Sequence, residues 1–161
     1  MKIAVIYYSL DGNSACIAEF IKKEHGADLF KIEVKNNKER KGLGKIIWCF
    51  SLMIKKTNPQ ILPINIDFEL YDHIILGCPV WGGEPARPML SFISSTKIDG
   101  KKIALYASHA GSAGKVIERL MSLLPGNIIT GDIDIKSPLK TDKEELKQQL
   151  DTWISELDLI Q

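Results

Sequence analysis

The sequence predicts an α/β fold: a three-layer sandwich in which a five-stranded parallel sheet, ordered 2-1-3-4-5, carries helices on both faces. Three observations predict it. Near-continuous apolar runs at Ile3–Tyr7, His73–Gly77 and Ile103–Ala107 have the character of parallel strands covered on both sides. Segments of helical periodicity separate these runs, as the crossovers of a parallel sheet require. A loop of small residues follows each run, and in a parallel sheet with right-handed crossovers all such loops gather on one edge, around the point where the strand order reverses.

The chain reads as one domain, 1–161, long enough to bury roughly two-thirds of the surface its unfolded form exposes. Twenty-one basic residues against 20 acidic ones give a net charge of +1. As a whole-chain total this favours neither nucleic acid nor an anionic membrane, and it leaves partner choice to local charge. Cys16, Cys49 and Cys78 form no C-x-x-C pair and join no His/Cys cluster at metal-ligand spacing, so no metal is expected and a reduced, cytoplasmic setting fits. Only Lys2 precedes the first apolar run, which ends at Ser9, so no secretory signal is expected. No apolar stretch approaches the roughly 20 residues of a membrane-spanning helix, and a soluble protein is expected.

The first strand runs into Ser9-Leu10-Asp11-Gly12-Asn13-Ser14, where helical periodicity begins. Cys16, Ile17, Phe20 and Ile21 space as an amphipathic helix over about Asn13–His25, with Gly26 just past its end. Alternation from Leu29 to Val34 predicts the second strand. A basic run, Lys35-Asn36-Asn37-Lys38-Glu39-Arg40-Lys41, reads as a solvated loop. The helix from Gly42 to Lys56 carries Ile46, Ile47, Trp48, Cys49, Phe50, Leu52, Met53 and Ile54 and is apolar on more than one face. It is expected to be buried within the fold; cover over a ligand and a contact surface are the alternatives, and its basic flanks keep an interfacial or acidic-partner role open.

After the third strand, Cys78-Pro79-Val80-Trp81-Gly82-Gly83-Glu84-Pro85-Ala86 reads as a loop around one large aromatic, followed by a helix through Met89, Leu90 and Ile93. The fourth strand ends in Ser108-His109-Ala110-Gly111-Ser112-Ala113-Gly114, before a helix through Ile117, Leu120, Met121 and Leu124. Ile128, Ile129, Ile133 and Ile135 predict a last strand interrupted near Gly131. Leu146, Leu150, Trp153, Ile154 and Leu157 mark the final helix.

The loop chemistry suits an anion attached to a planar ring. Free N–H groups and the partial positive charge at a helix start favour a phosphate at Asp11 to Ser14, with the Ser9 and Ser14 hydroxyls as further donors. Simple capping and turning is the alternative for that loop taken alone. Trp81 is placed to cover the face of a ring, and Ser108 to Gly114 to hydrogen-bond its edge through the backbone. No Ser-His-Asp or paired-carboxylate arrangement stands out, and no G-x-G-x-x-G marks a separate dinucleotide site.

Together these three loops resemble those of flavodoxins and flavodoxin-like FMN proteins, and size and element order extend the likeness over essentially the whole chain. The resemblance implies a flavodoxin-like sandwich and a non-covalently bound FMN that carries electrons. Ser9, Leu10, Asp11, Gly12, Asn13 and Ser14 would form the phosphate loop. Pro79, Val80, Trp81, Gly82 and Gly83 would form the flavin loop; Ser108, His109, Ala110, Gly111, Ser112 and Gly114 would line the ring's edge. Gly82 and Gly83 are the candidates for a peptide that turns its C=O toward flavin N5 when N5 gains a proton, with a simple tight turn as the alternative. His109 reads first as a loop or surface histidine, with proton donation near reduced flavin as the alternative.

Two features depart from the commonest family pattern. Asp11 stands where a hydroxyl residue is usual, so its backbone N–H rather than its carboxylate is expected to serve a phosphate. The third loop lacks an aromatic for the second flavin face, which leaves Trp81 as the main stacking group. The expected partner is a redox protein or a small-molecule electron donor or acceptor; the near-neutral, locally basic chain differs from the usual acidic shuttles. A small FMN-dependent NAD(P)H or quinone reductase, and a flavin-free binding or regulatory domain on the same fold, are the alternative readings.

Overall fold

The computed structural model describes residues 1–35 and 42–158. Six strands, β1 (Ile3–Tyr7), β2 (Asp28–Lys31), β3 (His73–Trp81), β4 (Glu84–Pro85), β5 (Lys102–His109) and β6 (Ile128–Lys136), alternate with five α-helices. The helices are α1 (Asn13–His25), α2 (Leu43–Lys55), α3 (Arg87–Ser95), α4 (Val116–Ser122) and α5 (Lys143–Asp158). Five strands pair in parallel in the order β2-β1-β3-β5-β6, which is the predicted 2-1-3-4-5 path; β4 adds an antiparallel step beside β3.

The apolar runs are continuous because successive side chains of each strand enter different cores. Ile6, Leu76 and Leu105 point to the side covered by Met89 and Phe92 of α3 and Leu120 of α4. Val5, Ile75 and Tyr106 point to the other side, against Ile17 and Ile21 of α1 and Leu150 and Trp153 of α5. Full burial of each such side chain contributes roughly 1.5–3 kcal/mol. Gly26 ends α1 as expected: it takes a φ of 68° and donates its N–H to the Lys22 carbonyl.

Four sequence expectations are corrected. The second strand stops at Lys31, and Val34 instead makes an isolated antiparallel bridge to Ile61. The stretch from Cys78 is not all loop: β3 continues through Pro79 and Val80 to Trp81, and Gly82–Gly83, at φ of 60° and 82°, turn the chain back into β4. Positive φ at both central positions is the two-residue hairpin geometry, which glycine adopts without strain. Near Gly131 the last strand is not interrupted but bulged. Gly131 pairs with Ala104 and Ile129 with Ile103, which leaves Thr130 as the extra residue, its hydroxyl donating to the Ile103 carbonyl at 3.3 Å. A Cβ at Gly131 would stand 2.8 Å from Leu157 Cδ2 on α5, so a larger residue beside the bulge would need that side chain to shift.

The fourth correction concerns α2. Only Cys49 of this helix is buried, whereas Leu43, Ile46, Ile47, Phe50 and Ile54 are 59–76% exposed. The expectation of a buried helix fails because the sheet's faces are already occupied by α1, α3, α4 and α5, and α2 packs through one side alone, against the chain that follows β1 and the end of β3. Of the basic run before it, only Lys35 is among the described residues.

Candidate functional site

The C-terminal ends of β1, β3 and β5 bring their loops into direct contact. Ser14, at the start of α1, and Ser108, near the end of β5, share a hydrogen bond of 2.7 Å between their hydroxyls, and both are fully buried. One residue pair before Ser108, Tyr106 donates its hydroxyl to the Ser14 carbonyl at 2.9 Å. The loop after β5 also meets the β3–β4 hairpin, since a Cβ at Gly114, where φ is 59°, would stand 2.9 Å from Gly83 Cα. All three loops are therefore tied to one another.

The first loop has the shape of an anion cradle. Gly12 takes a φ of 96° at the N-cap of α1, a position with no side-chain cap and no acidic residue in the following turn. Ser9 Oγ accepts from the Gly12 N–H at 3.1 Å, which leaves the Ser9 hydroxyl proton free to donate outward. The Asp11 carboxylate is occupied by Asn13, accepting from its backbone N–H at 3.1 Å and from its side-chain amide at 2.9 Å. This is the self-bonded arrangement that keeps a carboxylate from opposing an anion. The N–H groups of Ser14 and Ala15 have no acceptor among the described hydrogen bonds. Ser14's hydroxyl, by contrast, joins the loops and is not displayed on the surface.

Around Trp81 the structure assembles aromatics that no local pattern displayed. Its ring meets Tyr8 edge to face at 5.7 Å and Trp48 of α2 at 6.1 Å, with interplanar angles of 85° and 83°. Helix α2 reaches the other loops as well. Lys45 Nζ donates to the Leu10 carbonyl at 3.4 Å, and a Cβ at Gly82 would collide with Cε of Met53. Burial, with Cys49 and Asp11 nearby, raises the Tyr8 phenol well above its ordinary value, and burial raises Cys49 to about 11. Cys78 behaves alike: burial pushes its thiol up to about 12, so near neutral pH it is a packed, unreactive group.

His109 is not the surface histidine its loop position suggests. Its side chain is 8% exposed, and its Nε2 lies 2.8 Å from Asp134 Oδ2 on β6, while its Nδ1 is buried without a hydrogen-bond partner. Tyr8, Trp48, Lys45 and Met53 are the neighbours of the loops that sequence reasoning did not assign. Tyr8 carried a signal, an aromatic at the junction of apolar strand and polar loop; the α2 residues carried none beyond general apolarity.

A family model described as Flavodoxin matches residues 2–156. The chain belongs to the flavodoxin family. Among curated flavodoxins, that of Clostridium beijerinckii is 29% identical over 149 residues, which span 87% of this chain and 86% of that one. A flavoprotein from Lactobacillus acidophilus NCFM, solved in complex with FMN, superposes with a TM-score of 0.71 at 22% identity, covering 95% of this chain and 98% of that chain. Oxidised flavodoxin 2 from Bacillus cereus superposes with a TM-score of 0.57, at 22% identity over 99% and 100% of the two chains. These superpositions establish the flavodoxin fold, with its C-terminal strand edge where the three joined loops lie. In this flavodoxin α2 contacts the first and second loops through Lys45 and Trp48.

Proposed function

We propose that this flavodoxin binds FMN non-covalently at the three joined loops and transfers electrons between redox partners. The observation that carries the reading is the junction itself. An uncapped helix start with open N–H groups, a Trp at a glycine hairpin and a small-residue loop are locked together by the Ser14–Ser108 bond and the Gly114–Gly83 contact.

The residues present fit the group. A phosphate would be received by the backbone at Gly12 to Ala15 and by the Ser9 hydroxyl, with the Asp11 carboxylate held away on Asn13. Trp81, supported at its edges by Tyr8 and Trp48, would cover the ring and exclude water. FMN, when bound, supplies one- or two-electron chemistry. The chain supplies position and a poorly solvating apolar face that disfavours added negative charge. Gly82 and Gly83 provide a peptide free of Cβ restriction beside the ring, and Ser108 to Gly114 offer backbone donors and acceptors to its edge, as the sequence expects. The donor and acceptor would be a redox protein or a small molecule in the cytoplasm; among the described residues no helix is long and apolar enough to cross a membrane.

The test is an absorption spectrum of the purified protein followed by stepwise anaerobic reduction, on the wild type and on Trp81→Ala. The wild type is expected to carry a flavin spectrum. The variant is expected to bind FMN about tenfold more weakly, the scale of a lost aromatic contact, and to show a raised two-electron potential. Folded protein that binds no flavin at micromolar concentration would contradict the reading; unchanged affinity and potential in the variant would remove Trp81 from the site.

A further inference from the structure

The outer face of α2 is the feature that the flavin reading does not use. Leu43, Ile46, Ile47, Phe50 and Ile54 recur at steps of three and four residues, so they form one stripe along the helix, and each is more than half exposed. The opposite side, carrying Lys45, Trp48, Cys49 and Met53, is fixed to the loops. A solvated helix held by one side normally turns its polar side outward. Here the outward side is apolar, which marks an interaction surface.

Charge and chemistry select the occupant. No acidic residue stands between Glu39 and Asp67, while Lys55 and Lys56, both exposed, follow Ile54 at the C-terminal end of the stripe. The surface is therefore complementary to an anionic partner. A second copy of the chain seated on it would bring no counter-charge from the same segment. The five stripe residues also carry no hydrogen-bonding group, whereas protein interfaces make about one hydrogen bond per 100–200 Å² and centre on Trp, Tyr and Arg. An apolar stripe of Leu, Ile and Phe with lysines at its end is what a helix lying in the interface of an anionic bilayer presents.

We infer that α2 docks this protein on anionic membrane surfaces, with Ile46, Ile47 and Phe50 entering the acyl boundary and Lys55 and Lys56 at the headgroups. The inference does not depend on flavin binding. It needs no spanning segment, because the helix lies along the surface.

The experiment is co-sedimentation of the 161-residue chain with vesicles of phosphatidylcholine alone and of phosphatidylcholine mixed with phosphatidylglycerol, alongside light scattering without lipid. Binding is expected to be strong on the mixed vesicles, weak on the neutral ones and reduced by salt. The double variant Ile47→Ser/Phe50→Ser is expected to lose at least tenfold in partitioning. Each of Lys55→Gln and Lys56→Gln is expected to lose about fivefold on the mixed vesicles only. All these positions are exposed, so the variants should keep the wild-type circular dichroism and thermal midpoint. Absence of binding to the mixed vesicles, binding indifferent to lipid charge, or binding unchanged in the serine variant overturns the inference. So does a solution dimer that the serine variant dissociates, which would assign the stripe to a second copy; a monomer that ignores vesicles would leave an acidic protein as the occupant.

Discussion

A Cβ built on Gly77 would fall inside the ring of Tyr106, whose hydroxyl in turn holds the Ser14 carbonyl. The glycine thus makes room for the side chain that supports the start of α1. Gly77→Ala is expected to cost about 3 kcal/mol or more, as overpacking of a rigid core does, and denaturant unfolding would measure it. Ser108→Ala poses a smaller question at the same junction. It leaves the buried Ser14 hydroxyl without its partner, and a loss of about 1–2 kcal/mol is expected, together with weaker FMN binding because the first loop loses its tie to β5. Neither contact was legible in the sequence. The positions of Gly12, Gly82 and Gly83 could be read because turns announce themselves locally, whereas Gly77–Tyr106, Ser14–Ser108 and Tyr8–Trp81 join residues far apart in the chain.

At the scale of elements, the strands and α1 were legible because their burial is set by periodicity, two-sided for the strands and one-sided for the helix. Helix α2 was legible as a helix and not in its placement: apolar residues all round give no indication of which side faces the protein. The β3–β4 hairpin hid behind prolines and glycines that read equally well as a loop. The polar contact between α1 and α5 was likewise invisible, since it joins residues more than a hundred positions apart: Lys147 of α5 donates to Glu24 of α1 at 3.2 Å and to Asp151, one turn on in α5, at 2.9 Å, and Asp151 lies 3.1 Å from His25 Nε2 of α1. Hydrogen bonds from Lys23 and Lys147 lower the Glu24 pKa, and Lys147 does the same for Asp151 with help from His25. A carboxylate whose folded pKa is depressed adds stability above its unfolded pKa and loses it as pH falls through the folded one. The thermal midpoint of Lys147→Ala should therefore fall below the wild type's at neutral pH, and the gap should close on acidification below the carboxylate range and shrink with salt. A gap that persists at low pH would contradict the electrostatic account of this contact.

Across the whole molecule, the sheet order could be read from three buried strands joined by helical crossovers, since right-handed connections leave few arrangements. The same order places three loops on one edge, and the structure adds that they touch: Ser14 on Ser108, Gly114 on Gly83. On the proposed reading that contact joins three short motifs into one flavin site, with a polar end at α1 for the phosphate and an aromatic end at Trp81 for the ring. The most direct test is calorimetric titration of the apoprotein with FMN and with riboflavin. If the open N–H groups at the start of α1 receive the phosphate, FMN should bind at least about a hundredfold more tightly, the scale of one or two charge-assisted hydrogen bonds, and Gly12→Val should erase most of that difference while leaving riboflavin binding intact. Equal affinity for the two flavins would contradict the account, because the phosphate would then contribute nothing at the loop around which the site is built.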